Sequence, residues 1–184
     1  MFSHAYRFEK FHGRNPVTQS RIHRQENSRE RVLSLEEQER LLLHADRELR
    51  DLILLLLNSG CRLYEILSLR WDIVDFEAGK IHLPGSITKN GKWRDAEINP
   101  TSRTILLERK LITKNSPFVF PSDKSESGHL IHPYRRWYKL LKDVGIKDFR
   151  FHELRHTTGS RLRELNTHPE AIQKYLGHTD YKTT

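Results

Sequence analysis

The sequence predicts an α+β fold that is mainly helical, with a small three-stranded antiparallel sheet near its middle. Apolar residues recur at helical spacing before residue 70 and after residue 100, whereas short β-type runs alternate with turn signals between them. At 184 residues, the chain is long enough to bury a core of its own.

The first part of the fold is a run of helices. Ser34 and Glu37 form a capping box that predicts a helix running to about His44. A second, strongly apolar helix is predicted to stop at Asn58-Ser59-Gly60, and a third begins near Arg62.

The periodicity then changes to that of strands. Residues 73–76, 81–83 and 93–98 are predicted as strands, with turns at Ala78-Gly79 and at Asn90-Gly91. The remaining helices are predicted over residues 101–112, 133–144, 152–165 and 169–176. Core or sheet packing is expected for three tryptophans, Trp71, Trp93 and Trp137.

Composition narrows the class of protein. The chain carries 32 Lys and Arg against 24 Asp and Glu, a net charge of +8, and residues 1–31 hold half of that excess. A basic surface favours encounter with polyanions, although charge alone is also compatible with simple solubility. The single cysteine, Cys61, excludes an internal disulfide framework, and the apolar runs are too short to span a bilayer.

Five cationic or imidazole residues lie where a chain presents side chains with fixed geometry. One of them opens a helix and one occupies a hairpin tip. Two lie three residues apart at the start of a helix, and the last follows a glycine that ends a helix. The five are Arg62, Lys89, His152, Arg155 and His178. Each has an ordinary structural explanation when it is taken alone.

Together, four segments resemble the boxes of the tyrosine recombinase, or phage integrase, family. Residues 60–71 (GCRLYEILSLRW) resemble the first arginine box, and residues 88–94 (TKNGKWR) resemble the lysine hairpin. Residues 152–157 (HELRHT) resemble the His-x-x-Arg box, and 176–178 (LGH) the last histidine box. The order and the intervals match from about Leu33 to the last residue.

The resemblance implies a tyrosine-recombinase-like catalytic domain and a role for each residue. Arg62 and Arg155 would bind the oxygens of a scissile phosphate, and His152 would exchange the nucleophile's proton. Lys89 would protonate the departing 5′ oxygen, and His178 would donate a hydrogen bond to the phosphate. Glu65 would orient its neighbours, and no metal or nucleotide cofactor is expected.

The match stops before the family's nucleophile. In the family, the nucleophilic tyrosine follows a Thr-Thr pair. In this chain that pair is Thr183-Thr184, so the tyrosine would fall about three residues after Thr184. Tyr175 and Tyr181 are not at the expected position. We therefore expect this chain to bind DNA phosphate but not to form a 3′-phosphotyrosyl bond by itself.

The implied organisation has two parts. Residues 1–31 are expected to be a basic linker and the tail of a missing N-terminal DNA-binding domain. Residues 32–184 are expected to be the catalytic domain without its tyrosine segment. The expected partner is double-stranded DNA, and no membrane is expected as a partner. The expected location of the protein is the bacterial cytoplasm, at the nucleoid. This fragment is expected to be a monomer, and the full enzyme, from a phage or mobile element, a homotetramer on DNA.

Two alternatives remain at this point. His152-Glu153-Leu154-Arg155-His156 also matches the His-Glu-x-x-His motif of zinc peptidases, with Glu164, Glu170 or His178 as a third ligand. That reading leaves Arg62, the lysine hairpin and the basic charge unexplained. The second alternative is a non-catalytic DNA-binding regulator on the same fold.

Overall fold

The computed structural model of the protein describes residues 31–88 and 91–177. Within them, helices precede and follow a small sheet, as the sequence predicts. The first elements are α1 (Leu35–His44), α2 (Arg47–Ser59), α3 (Leu63–Leu67) and a 3-10 turn (Trp71–Ile73). The sheet consists of β1 (Val74–Asp75), β2 (Lys80–Leu83) and β3 (Arg94–Glu97). The last helices are α4 (Pro100–Ile112), α5 (Tyr134–Asp143), α6 (Phe151–Glu164) and α7 (Pro169–Leu176).

Local capping explains where the first helices begin and end. The Ser34 side chain accepts from the Glu37 N–H and Glu37 returns a bond to the Ser34 N–H, which confirms the predicted capping box. Asp46 caps α2 in the same way, through the Leu49 N–H. Gly60 ends α2 in the left-handed conformation at φ 59°, which glycine adopts without a Cβ penalty.

The sheet is antiparallel in the order β1-β2-β3, with Ile81 paired to both Val74 and Ala96. Residues 84–93 separate β2 from β3, and Asn90 lies outside the described residues, so the predicted Asn90-Gly91 turn stays a prediction. Trp93 lies at the end of this connection and is 68% exposed, so its predicted packing is wrong.

The core lies around α2, which packs between α4 and α6. Leu52, Ile53 and Leu56 of α2 are buried there together with Trp137 of α5. The ring of Trp137 stacks on Phe151, the first residue of α6, with 4.3 Å between ring centroids. This packing fixes the start of α6, where two of the predicted site residues lie.

Two parts of the predicted organisation fall outside the described chain. The predicted linker over residues 1–31 has only its last residue described, and the end of the predicted catalytic domain is described to residue 177. Within the described residues, no helix is both long and apolar enough to cross a bilayer.

Candidate active site

Arg155 is the more buried of the two predicted arginines. It lies in the second turn of α6, is only 3% exposed, and donates from Nη1 to the Gly60 carbonyl at 2.6 Å. Its Nη2 donates to the Leu176 carbonyl. Arg155 thus joins the end of α2 to the end of α7.

Arg62 lies at the N-terminal boundary of α3 and is fixed by Glu65. The Arg62 N–H donates to Glu65 Oε2 at 2.8 Å, and Arg62 Nη1 donates to Oε1 at 3.0 Å. The Arg62 side chain remains 22% exposed, whereas Glu65 is fully buried. One carboxylate therefore holds both the backbone and the guanidinium of Arg62, while part of the Arg62 side chain stays accessible.

Glu65 has a second cationic partner that the sequence did not indicate. Arg94, the first residue of β3, donates from Nη2 to Glu65 Oε2 at 2.6 Å. Burial alone would raise the pKa of Glu65, but Arg94 and Arg62 outweigh it and lower the pKa below its usual value. Glu65 is therefore a carboxylate at neutral pH.

The cluster carries more positive than negative charge. Burial, together with the charges of Arg62 and Arg94, lowers the pKa of Arg155 to about 10. Three guanidiniums thus surround the single carboxylate of Glu65. An anion placed among them would relieve the repulsion that Arg155 experiences, which is the electrostatic property of an oxyanion site.

His152 lies on the first turn of α6 but differs from Arg155 in its surroundings. The spacing of three residues suggested a common face, yet His152 is exposed and Arg155 is buried. The His152 and His156 rings lie edge to face, with 4.8 Å between their centroids. Both line a cavity of about 970 Å³ whose wall also contains Lys147 and Arg150.

Two of the five predicted site residues, Lys89 and His178, fall outside the described residues. Their neighbours are described: Thr88 donates from its hydroxyl to the Lys92 carbonyl at 2.7 Å, and Gly177 ends α7 at φ 66°. The structure thus brings Arg62, Glu65 and Arg155 into one cluster. It adds Arg94, whose contacts join positions too distant in sequence for any pattern to reveal.

The zinc alternative has little geometric support in the described part of the chain. There, no group of three or more His, Cys, Asp and Glu side chains is arranged to hold a metal ion. Glu164 and Glu170 do not complete the His152–His156 pair, and the remaining candidate, His178, lies outside residues 31–88 and 91–177.

Comparison with known proteins defines the class. The sequence profile of the phage integrase family matches residues 31–184. The chain belongs to this family. It is 31% identical over 161 residues to tyrosine recombinase XerA of Pyrococcus horikoshii, covering 83% of this chain and 54% of that protein. It is 36% identical over 159 residues to XerA of Saccharolobus solfataricus, covering 85% and 52%. The chain thus spans about half the length of these curated relatives.

Solved structures show the same fold. The crystal structure of XerA recombinase superposes with a TM-score of 0.71 at 23% identity, covering 83% of this chain and 58% of that one. A Tn1549 transposon integrase in complex with circular intermediate DNA superposes with a TM-score of 0.76 at 18% identity, covering 99% and 69%. The predicted mainly helical domain with a three-stranded antiparallel sheet is confirmed.

Proposed function

We propose that this chain is the catalytic domain of a site-specific DNA recombinase that cleaves and rejoins strands through a 3′-phosphotyrosyl intermediate. The observation that carries the proposal is the cluster of Arg62, Arg94 and Arg155 around the single buried carboxylate of Glu65. Such a preorganised excess of positive charge suits a phosphodiester, whose negative charge grows on its non-bridging oxygens during attack.

Arg62 and Arg155 divide the work on the phosphate. Arg155 is held by two backbone carbonyls, so its position is set before substrate binds. Arg62 keeps a partly exposed side chain beside a buried carboxylate that orients it. Bidentate guanidinium donors stabilise the pentacoordinate transition state without a metal ion, because their charge is already in place.

Proton transfer falls to groups around the cluster. His152 is exposed at the start of α6, where it is accessible to a tyrosine hydroxyl and to solvent. By resemblance, Lys89 protonates the departing 5′ oxygen and His178 donates to the phosphate. The nucleophile is expected about three residues after Thr184.

Tyr175 is unsuited to replace that nucleophile. Its hydroxyl donates to the Asn58 carbonyl at 2.5 Å, and burial raises its pKa to about 12. A phenol whose pKa is raised, and whose proton is donated in a hydrogen bond, does not readily form a phenolate.

The partner we propose is double-stranded DNA, bound at the arginine cluster and along the cavity wall that carries Lys147, Arg150 and the two histidines of α6. We propose a monomer for this fragment, a homotetramer on DNA for the whole protein, and action at the nucleoid in bacterial cytoplasm. The DNA-bound state of the Tn1549 integrase supports the choice of partner.

Binding of an oxyanion tests the site in this chain directly. Inorganic sulfate serves as a stand-in for the phosphodiester, and ¹⁵N-labelled arginine reports on each guanidinium by NMR. We expect sulfate to shift the Arg62 and Arg155 signals, and duplex DNA to displace it. Arg62→Gln and Arg155→Gln should each abolish this binding, while Arg47→Gln, at an exposed pair with Glu108, should not. Sulfate binding unaffected by both site variants would remove the basis of the proposal.

A further inference from the structure

Arg94 makes buried contacts with three separate segments. Its Nη2 lies 2.6 Å from Glu65 Oε2 and 3.5 Å from Cys61 Sγ, and its Nη1 lies 3.5 Å from the Tyr175 carbonyl. The side chain is only 10% exposed. Both terminal nitrogens of Arg94 are directed at these three partners, so we expect its effect on an anion to pass through Glu65 and Arg62.

The end of α7 packs on the aliphatic part of Arg94. A Cβ added to Gly177 would lie 2.6 Å from Arg94 Cδ and 3.0 Å from Nε. Within residues 31–88 and 91–177, Arg94 Nε has no hydrogen-bond partner. The close fit means that β3, the start of α3 and the end of α7 share this one side chain as their junction.

The charge balance of the cluster shows what Arg94 contributes. Glu65 is fully buried and accepts bonds from Arg62 and Arg94. If Arg94 were neutral, Arg62 would be the one cation among the described residues that is hydrogen-bonded to Glu65. Arg62 would then be held more tightly by Glu65 and would have less charge available for an external anion.

We propose that Arg94 is a positioning residue, which neutralises Glu65 from the buried side and so leaves the exposed part of Arg62 available to the phosphate. The proposal rests on the proposed function, because it concerns the same phosphate site. It assigns the residue at the start of β3 a role in anion binding at a site that it does not touch.

Ionisable groups from four parts of the fold lie around Glu65 and Arg94. They are Arg62 and Cys61 before α3, Arg94 on β3, Arg155 on α6 and Tyr175 on α7. Burial opposes ionisation of Glu65, whereas Arg94 and Arg62 favour it and lower its pKa. Removing Arg94 should therefore raise the pKa of Glu65 and make the affinity for an anion depend on its ionisation.

The test measures the affinity of the chain for inorganic sulfate, whose own charge is constant across neutral pH. Four variants are compared with the wild type: Arg94→Gln, Arg94→Lys, Arg94→Gln with Glu65→Gln, and the surface control Arg47→Gln. We expect Arg94→Gln to weaken sulfate binding on the order of tenfold at neutral pH. The buried carboxylate of Glu65 loses a charged partner and therefore holds Arg62 more tightly. Acidification should restore part of that loss as Glu65 becomes protonated.

The other variants separate positioning from simple structural damage. Arg94→Lys keeps the charge and should bind sulfate nearly as well as the wild type. The double variant keeps the net charge of the cluster and should recover most of the lost affinity, which a damaged fold would not. It also folds more readily than Arg94→Gln, because no buried carboxylate loses a charged partner.

The outcomes distinguish this proposal from the proposed function. The role of Arg94 would be overturned, without affecting the phosphate site, if Arg94→Gln bound sulfate as tightly as the wild type. The same would follow if Arg94→Gln and the double variant bound sulfate equally weakly at every pH. If the wild type itself bound no sulfate at Arg62 and Arg155, the phosphate site would be wrong, whatever Arg94 does.

Discussion

Two arginines of almost equal burial should differ in how strongly the same substitution destabilises the fold. Arg155 is 3% exposed and Arg109 is 4% exposed. Arg109 pairs with Asp51 at 3.1 Å and donates from Nε to the Val119 carbonyl at 2.8 Å. Within the described residues, the hydrogen-bond partners of Arg155 are two backbone carbonyls, and its cationic neighbours repel it. We therefore compare Arg155→Met with Arg109→Met.

The magnitude for Arg155 follows from its pKa of about 10. One pKa unit corresponds to about 1.4 kcal/mol, so the folded state gives up about 3 kcal/mol to keep this residue charged. The sign is destabilising at neutral pH, because the unfolded state holds the proton more tightly. Removing the charge regains that amount but loses two hydrogen bonds to buried carbonyls, at about 1–3 kcal/mol each. The net change should therefore lie between about 1 kcal/mol of stabilisation and about 3 kcal/mol of destabilisation.

Arg109→Met leaves the buried Asp51 carboxylate without its partner. Burial already raises the pKa of Asp51 in spite of Arg109, so the loss of the cation should lower the free energy of unfolding by about 3–5 kcal/mol. Urea denaturation of the chain, comparing midpoints at a common slope, measures both variants. If Arg155→Met were as destabilised as Arg109→Met, Arg155 would be a structural residue and the reasoning about the site would fail.

Three further predictions concern the same region. The folded state lowers the pKa of Glu65. The ionised Glu65 therefore stabilises the fold at pH values above its usual pKa, and this stabilisation is lost as the pH falls through the lowered pKa. Glu65→Gln should therefore flatten the acid limb of the unfolding free energy, measured by urea denaturation between neutral and acidic pH. Tyr175→Phe should lower the unfolding free energy by about 1 kcal/mol through the lost bond to Asn58. The same change in the full-length protein should leave covalent attachment to DNA intact, and loss of attachment on a denaturing gel would contradict this. EDTA should not change attachment in that assay, whereas an absolute requirement for zinc would favour the His-Glu-x-x-His alternative.

The predictable part of the fold was the part with local causes. The Ser34–Glu37 capping box and the glycine at position 60 act within a few residues of themselves, so their consequences are visible in the sequence. The hairpin was only partly predictable. Asn90-Gly91 indicates a turn, but the Thr88 hydroxyl donates to the Gly85 and Lys92 carbonyls within a wider loop that residue types alone do not specify.

The site shows the same division. Arg62, Glu65 and Arg155 are predicted together because the family boxes keep their order and spacing, and the structure places the three in one cluster. Arg94 could not be predicted, since its contacts with Glu65 and Tyr175 join positions 29 and 81 residues away. The difference in exposure between His152 and Arg155 was also missed, because helical spacing does not say which side of a helix start is covered by neighbouring segments.

Covalent DNA attachment by the full-length protein tests the central claim most directly. Cells that produce the full-length protein are lysed rapidly under denaturing conditions. The DNA that remains bound to the protein is recovered and sequenced. The account predicts attachment through a 3′ phosphate to a tyrosine about three residues after Thr184, lost in Arg62→Gln and in Arg155→Gln. Attachment at Tyr181 instead, or attachment undiminished in both arginine variants, would contradict it.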